Sequence, residues 1–219
     1  MPQPQVRDGV TGARVAEHLR DEILRGAHPP GTRLRQEELA SLYGASRVPV
    51  REALRMLEAE GLITTVANTG AWIARLSLDE CVELYQVRER IEPLLLRYSM
   101  PHLTPGQIDH LAELVERMRT ATDVEDFLAL DREFHLGSYR GATTSFLGST
   151  VERLWNTTQH YRRAYTHLLD TDSNRIMHDE HHMLVTAIRE GDADEAERVL
   201  FGHIRRTRLQ LARHPEVFD

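Results

Sequence analysis

The sequence predicts a mostly α-helical chain in two parts: three short helices with a β-hairpin, then an antiparallel all-α bundle of about six helices. Three observations carry this. Apolar residues recur at helical spacing along most of the 219 residues, and the exception is a pair of short strand-like runs between residues 62 and 76. Charge divides at the same place: residues 1–76 hold 10 Arg against 9 acidic residues, and residues 77–219 hold 17 against 25. Histidine divides with it, since 10 of the 12 follow residue 76. The expected domains are therefore 1–76 and 77–219.

Each element has a local reason. Between Ala13 and Arg25, Val15, Leu19, Ile23 and Leu24 fall on one helical face, and Gly26 with Pro29-Pro30-Gly31 stops the helix. A second short helix over Glu37–Tyr43 carries Leu39, Ala40 and Leu42. After Gly44-Ala45-Ser46 a third runs over Val48–Glu60 with Val50, Ala53, Leu54 and Leu57 inward. Two short helices across a glycine turn predict a helix-turn-helix. Ser46 suits the N-cap, Pro49 is tolerated in a first turn, and Gly61 ends the helix. Leu62–Val66 and Ala71–Leu76 around Asn68-Thr69-Gly70 predict a hairpin, which makes the motif winged. Six helices follow, at about 79–100, 106–120, 123–140, 144–169, 173–190 and 192–213, with breaks at Pro101, Pro105, Gly141 and Gly191.

Composition excludes several functions. With 41% hydrophobic and 28% charged residues the chain is globular in character, and it holds no apolar stretch of membrane-spanning length. The opening MPQPQVRDG lacks the apolar core of a signal peptide, so a cytoplasmic location is expected. The lone Cys81 supports neither an internal disulfide nor a cysteine-rich zinc site. There is no lysine, so a P-loop lysine and a Schiff-base lysine are both excluded.

Dense motifs add a family resemblance. Pro30-Gly31-Thr32-Arg33-Leu34, Glu38-Leu39-Ala40, Ser46-Arg47-Val48-Pro49-Val50-Arg51-Glu52-Ala53-Leu54 and Leu57-Glu58-Ala59-Glu60-Gly61-Leu62 closely resemble the GntR family of bacterial winged-helix regulators. Val87-Arg88-Glu89, Ile91-Glu92-Pro93, Asp131 with Phe134-His135, Glu180-His181, and Gly191-Asp192 ahead of His203 resemble the FCD effector domain of its FadR subfamily. Six effector helices are similar to the shorter, VanR-like branch. The resemblance implies a DNA-binding repressor, homodimeric on a near-palindromic double-stranded operator and released by a ligand.

Arg47 and Arg51 stand four apart on the helix that such a motif inserts into the major groove, where arginine reaches guanine O6 and N7. Val48 and Pro49 are expected against thymine methyls, with Ser46, Arg33 and Arg55 on phosphates. Arg35, at the position where a polar cap of the second helix is expected, is counted with the DNA-facing residues. The family's wing implies a further contact near Gly70.

A second constellation has metal-ligand character. Asp131 and His135 are i and i+4 on one helix, His181 lies in the stripe of Met177, Leu184 and Ile188, and His203 lies in that of Ala196, Val199, Leu200 and Ile204. Three imidazoles and one carboxylate turned inward call for a common partner, and a divalent cation such as Zn, Ni or Mn is the simplest one. The resemblance implies the same four ligands; His178 and His182 are the alternates. Arg88 and Arg162 also fall on inward faces. They are expected either to clamp a small carboxylate effector or to form internal ion pairs, to Glu92 or Asp131 for example. Two other readings follow from the same residues: a metal-dependent enzyme with Glu180 as its base, and a regulator whose metal is purely structural.

Overall fold

A computed structural model describes residues 11–66 and 69–218; the opening nine residues and Asn68, both used in the sequence reading, lie outside the described residues. The chain divides into two compact units, Met1–Arg75 and Leu76–Asp219. Leu76 itself is buried in the core of the second unit.

In the first unit, α1 (Gly12–Leu24) buries Val15, Ala16, Leu19 and Ile23, and its N-cap Thr11 accepts a hydrogen bond from the Arg14 amide. Helix α2 (Gln36–Leu42) is tied by Leu39, and α3 (Arg47–Ala59) buries Val50, Ala53, Leu54 and Leu57. Gly44, at φ +60°, makes the turn between them. The hairpin forms from β2 (Ile63–Val66) and β3 (Gly70–Ile73), antiparallel, with Val66 opposite Gly70. A third strand, β1 (Arg33–Leu34), pairs with the outer side of β3, giving the order β1-β3-β2. Sequence pattern did not announce β1, because two residues show no alternation and their extended form depends on pairing with a strand far along the chain. Leu34, Leu39, Leu62, Ile63, Ala71 and Ile73 close one core with α1 and α3.

The second unit contains six α-helices among the described residues. They are α4 (Leu78–Ser99), α5 (Pro105–Thr120), α6 (Val124–Ser138), α7 (Leu147–Leu168), α8 (Thr171–Glu190) and α9 (Ala193–Leu211). Five of these six starts are written in side chains: capping boxes Ser77/Glu80 and Thr104/Gln107, and Asp caps at 123, 170 and 192. The break at Gly141 is steric. A Cβ there would lie 2.3 Å from the Ser99 carbonyl oxygen, and the Gly141 amide donates to Ser99 Oγ at 2.9 Å. Tyr85, Leu95, Leu114, Phe134, Trp155, Tyr161, Leu184 and Leu200 fill the core. No described helix is long and apolar enough to cross a membrane.

Candidate metal centre and nucleic-acid interface

The first unit gathers its arginines on the surface. Helix α3 begins at Arg47, and the Ser46 hydroxyl makes no capping bond, so it remains available outward. Val48 is 64% exposed, an isolated apolar side chain at the very start of the helix, and Pro49 beside it is half-buried. Between α3 and the hairpin lies a groove of about 570 Å³ whose lining includes Arg33, Arg35, Arg51, Arg55 and Gly70. Glu37 and Glu58 line it as well, so four arginines against two glutamates leave the groove net positive. Ser46, Arg47, Val48 and Pro49 lie beside it on the first turn of α3 and do not line it.

Local pairs modulate this surface. Arg47 pairs with Glu37 at 3.1 Å and Arg35 with Glu38 at 3.2 Å, all four side chains being well exposed. Such pairs contribute little and part readily. Arg33 is occupied differently: its Nη2 donates to the Thr69 carbonyl at 2.7 Å and its guanidinium lies 5.7 Å from the Trp72 ring. It braces the hairpin turn, where Gly70 sits at φ +143°, a conformation side chains disfavour. Sequence reasoning missed Glu37 as the partner of Arg47, because a ten-residue separation across a turn carries no periodic signal.

The second unit buries a small set of charged and titratable groups. Asp131 and His135 on α6, His181 on α8 and His203 on α9 are all at most 5% exposed, and one ligand atom from each lies within 4.8 Å of all the others. Asp131 Oδ1 is 3.3 Å from His181 Nε2 and 3.6 Å from His135 Nε2, and the two Nε2 atoms are 3.3 Å apart. Metal–ligand bonds of about 2.0–2.2 Å put neighbouring ligand atoms roughly 3–3.5 Å apart, so Asp131, His135 and His181 already stand close to coordination spacing, with His203 within 4.8 Å of them. Burial, and then the neighbouring His203 and His181, hold His135 well below the usual imidazole range; burial, His203 and Arg162 do the same for His181. Both rings are thus neutral, the form that ligates a metal. Asp131 Oδ1 has no hydrogen-bond partner. With both Nε2 atoms unprotonated, the buried carboxylate oxygen faces two lone pairs, which is unfavourable unless a cation lies between them, and the four residues fit one.

Outer contacts orient this set. His203 Nδ1 is 3.0 Å from Glu180 Oε2, which turns its other ring nitrogen toward the centre. Arg206 Nε donates to Glu180 Oε1 at 3.1 Å. Burial raises the Glu180 carboxyl, and the hydrogen bonds from His203 and Arg206 more than reverse this, so it stays ionised. Glu180 is therefore turned to His203 and Arg206. Arg162 Nη2 donates to Asp131 Oδ2, and its guanidinium stacks 4.2 Å from the Trp155 ring. Burial lowers Arg162 to about 10, which still leaves it charged at neutral pH. Arg88, fully buried, donates from Nε to Glu92 at 2.5 Å and from Nη1 to Thr158 at 2.8 Å. Glu92 also accepts from Tyr139 at 2.8 Å and from the Trp155 indole at 3.0 Å. Both inward arginines thus form the internal ion pairs that sequence weighed against effector binding. Of the alternates, His178 is half-buried beside Phe127 and His182 is exposed near Glu116, at 3.4 Å; neither joins the four.

Residues 11–73 match the bacterial regulatory proteins of the gntR family, and residues 83–206 match the FCD domain. A protein of Streptomyces ambofaciens described as an uncharacterized HTH-type transcriptional regulator in unstable DNA locus is 30% identical over 85% of this chain and 79% of its own length. The HTH-type transcriptional repressor GlaR of Escherichia coli (strain K12) is 27% identical, covering 85% of this chain and 89% of that protein. Among solved structures, E. coli McbR/YncC superposes with a TM-score of 0.77 at 23% identity, over 89% of this chain and 93% of the other, a likeness of fold.

Proposed function

Because the chain belongs to the GntR family of bacterial regulatory proteins and carries an FCD domain, we propose that it is a homodimeric repressor whose operator affinity is set by a small organic acid at a metal centre. It is a transcriptional regulator, not an enzyme, as its relatives are.

The observation behind the metal reading is the buried meeting of Asp131 Oδ1 with Nε2 of His135 and His181, the oxygen having no other partner. Asp131, His135, His181 and His203 would hold a divalent cation, with Zn, Ni and Mn all suited to three imidazoles and one carboxylate. When bound, the cation supplies a Lewis-acidic anchor for an acid group. Arg162, already in contact with the second oxygen of Asp131, fixes that carboxylate and is the cation nearest to an incoming acid. Arg88 acts one layer out, through Glu92 and the shared Trp155 ring.

At the other end, Arg47 and Arg51 read guanine edges, while Val48 and Pro49 meet thymine methyls. Ser46, Arg35 and Arg55 hold phosphates, and Arg33 keeps the turn at Gly70 in place for the backbone. Two copies present these residues to the halves of a near-palindromic operator. Tyr161, next to Arg162 on α7, connects the centre to the chain leading to the first unit. Its hydroxyl accepts from the Leu76 amide at 2.7 Å and donates to the Leu76 carbonyl at 2.9 Å. A shift of α7 on acid binding would move Leu76, the residue that follows the DNA-binding unit.

The test uses the full chain and a duplex it selects from a random library. Zn binding is measured by calorimetry, and DNA affinity by fluorescence anisotropy with and without chelation and with a panel of acids. The expected result is Zn binding abolished by His181→Ala and His203→Ala, with DNA affinity lowered by an acid about 5–150-fold only when Zn is present. If Zn binds and raises the melting temperature, yet neither chelation nor any acid changes DNA affinity, the metal is structural and the effector reading fails.

A further inference from the structure

Helix α4 has two apolar faces. The inward one carries Tyr85, Arg88, Glu92 and Leu96 into the core. On the other, Leu84, Val87, Ile91, Leu94 and Tyr98 recur at spacings of three and four, the seam of a helix suited to pair with another helix. Helix α9 lies antiparallel beside α4, tied by Arg97 to Glu197 at 2.6 Å and by Arg208 to Glu89 at 2.5 Å. It brings Phe201 next to Pro93 in a recess of about 340 Å³. Val87, Leu94, Tyr98 and Phe201 are each 37–49% exposed, and they are four of the six large apolar side chains exposed among the described residues of this unit. Apolar exposure gathered on one face marks a docking surface.

Symmetry and charge indicate what covers it. About a point between Arg90 and Ile91, Val87 and Leu94 are equidistant, and so are Glu83 and Tyr98. An antiparallel second copy therefore sets Val87 against Leu94 and the Glu83 carboxylate opposite the Tyr98 hydroxyl, an acceptor facing a donor. Each contact then occurs twice, as a two-fold interface requires. The exposed charges of α4 are ordered as well. Asp79, Glu80 and Glu83 stand near its start, and Arg90 and Arg97, with side chains 67% and 40% exposed, in its second half. By helical phase Glu83 and Arg97 lie on one flank. Antiparallel pairing brings Glu83 of each copy beside Arg97 of the other, one residue apart in register, whereas parallel pairing sets like charges abreast.

We propose that the outer apolar row of α4, with Phe201 of α9, is the surface on which a second copy of this chain docks, α4 lying antiparallel to α4 about a two-fold axis between Arg90 and Ile91. This inference rests on the homodimer reading and specifies the face through which that dimer closes.

Analytical ultracentrifugation of the full chain over a concentration series tests it. The unaltered chain is expected to sediment with the mass of two copies. Leu94→Arg puts two like charges into one seam and should raise the dimer dissociation constant at least about 100-fold, with helix content by circular dichroism unchanged. Arg90→Cys, next to the axis, should link two chains on oxidation, while Met183→Cys on α8 should not; the native Cys81 is buried. If Leu94→Arg does not fold, the link at position 90 carries the test. A dimer that survives Leu94→Arg, or that forms no link through position 90, overturns this surface and leaves the homodimer to close through another face. An unaltered chain that stays monomeric at every concentration, with and without its duplex, removes the homodimer reading and this surface together.

Discussion

Arginine is about equally frequent in the two units, 10 in residues 1–76 and 17 in residues 77–219, but the arginines at the two candidate sites are used in opposite ways. Arg35, Arg47, Arg51 and Arg55 stand on the surface of the first unit, with partners, where present, that are themselves exposed. Arg88 and Arg162 are buried in the second, each against a buried carboxylate. An exposed pair loses little when it opens, so its arginine can exchange a glutamate for a phosphate or a base. A buried pair cannot open without leaving a charge in a low-dielectric interior, so it fixes geometry. Pairs that part readily thus lie on the surface of the first unit, and pairs that hold geometry lie in the interior of the second.

The sharpest way to break this contrast is Arg88→Ala. It strands Glu92, which is fully buried, and is expected to cost about 3–5 kcal/mol in chemical denaturation. A loss below 1 kcal/mol would mean that the pair is not buried in solution. Next is Glu180→Gln, which keeps the shape but removes the charge facing His203. Zn affinity should fall about 10–100-fold, with DNA affinity of the metal-free protein unchanged. An unchanged Zn affinity would remove Glu180 from any orienting role. In the first unit, Arg51→Ala should cost about 1–3 kcal/mol of operator binding and relax base preference at one position, without lowering the melting temperature. Equal losses on all sequences would assign Arg51 to phosphate. The smallest effect is expected from Glu38→Ala, which frees Arg35: stability should change by no more than about 0.5 kcal/mol, and binding to any duplex should rise slightly. A large destabilisation there would show that surface and interior pairs do not differ in kind.

Legibility differed between the units for related reasons. The three helices and the hairpin of the first unit were readable because glycine and proline punctuate them within a few positions. Strand β1 was not, since Arg33 and Leu34 are extended only by virtue of Trp72 and Ala71 opposite them. In the second unit the inward phases of Asp131 and His135 were readable from i, i+4 spacing and those of His181 and His203 from the apolar stripes that hold them, and the four do converge. The reading of α7 began at residue 144, three before the helix start at Leu147, where no side-chain cap marks the boundary. What Arg88 and Arg162 contact was open in sequence, which offered Glu92 and Asp131 only as examples; both pairs form.

The sequence by itself determined the family, the two-part division and which face of each helix turns inward, because these depend on residues close together along the chain. Tertiary structure alone decided that Arg33 braces the hairpin turn, that Glu180 orients His203 and that Tyr161 holds Leu76, 85 residues away. Each rests on one or two directional hydrogen bonds between residues far apart along the chain. Periodicity says which way a side chain points, and only packing says what it finds there.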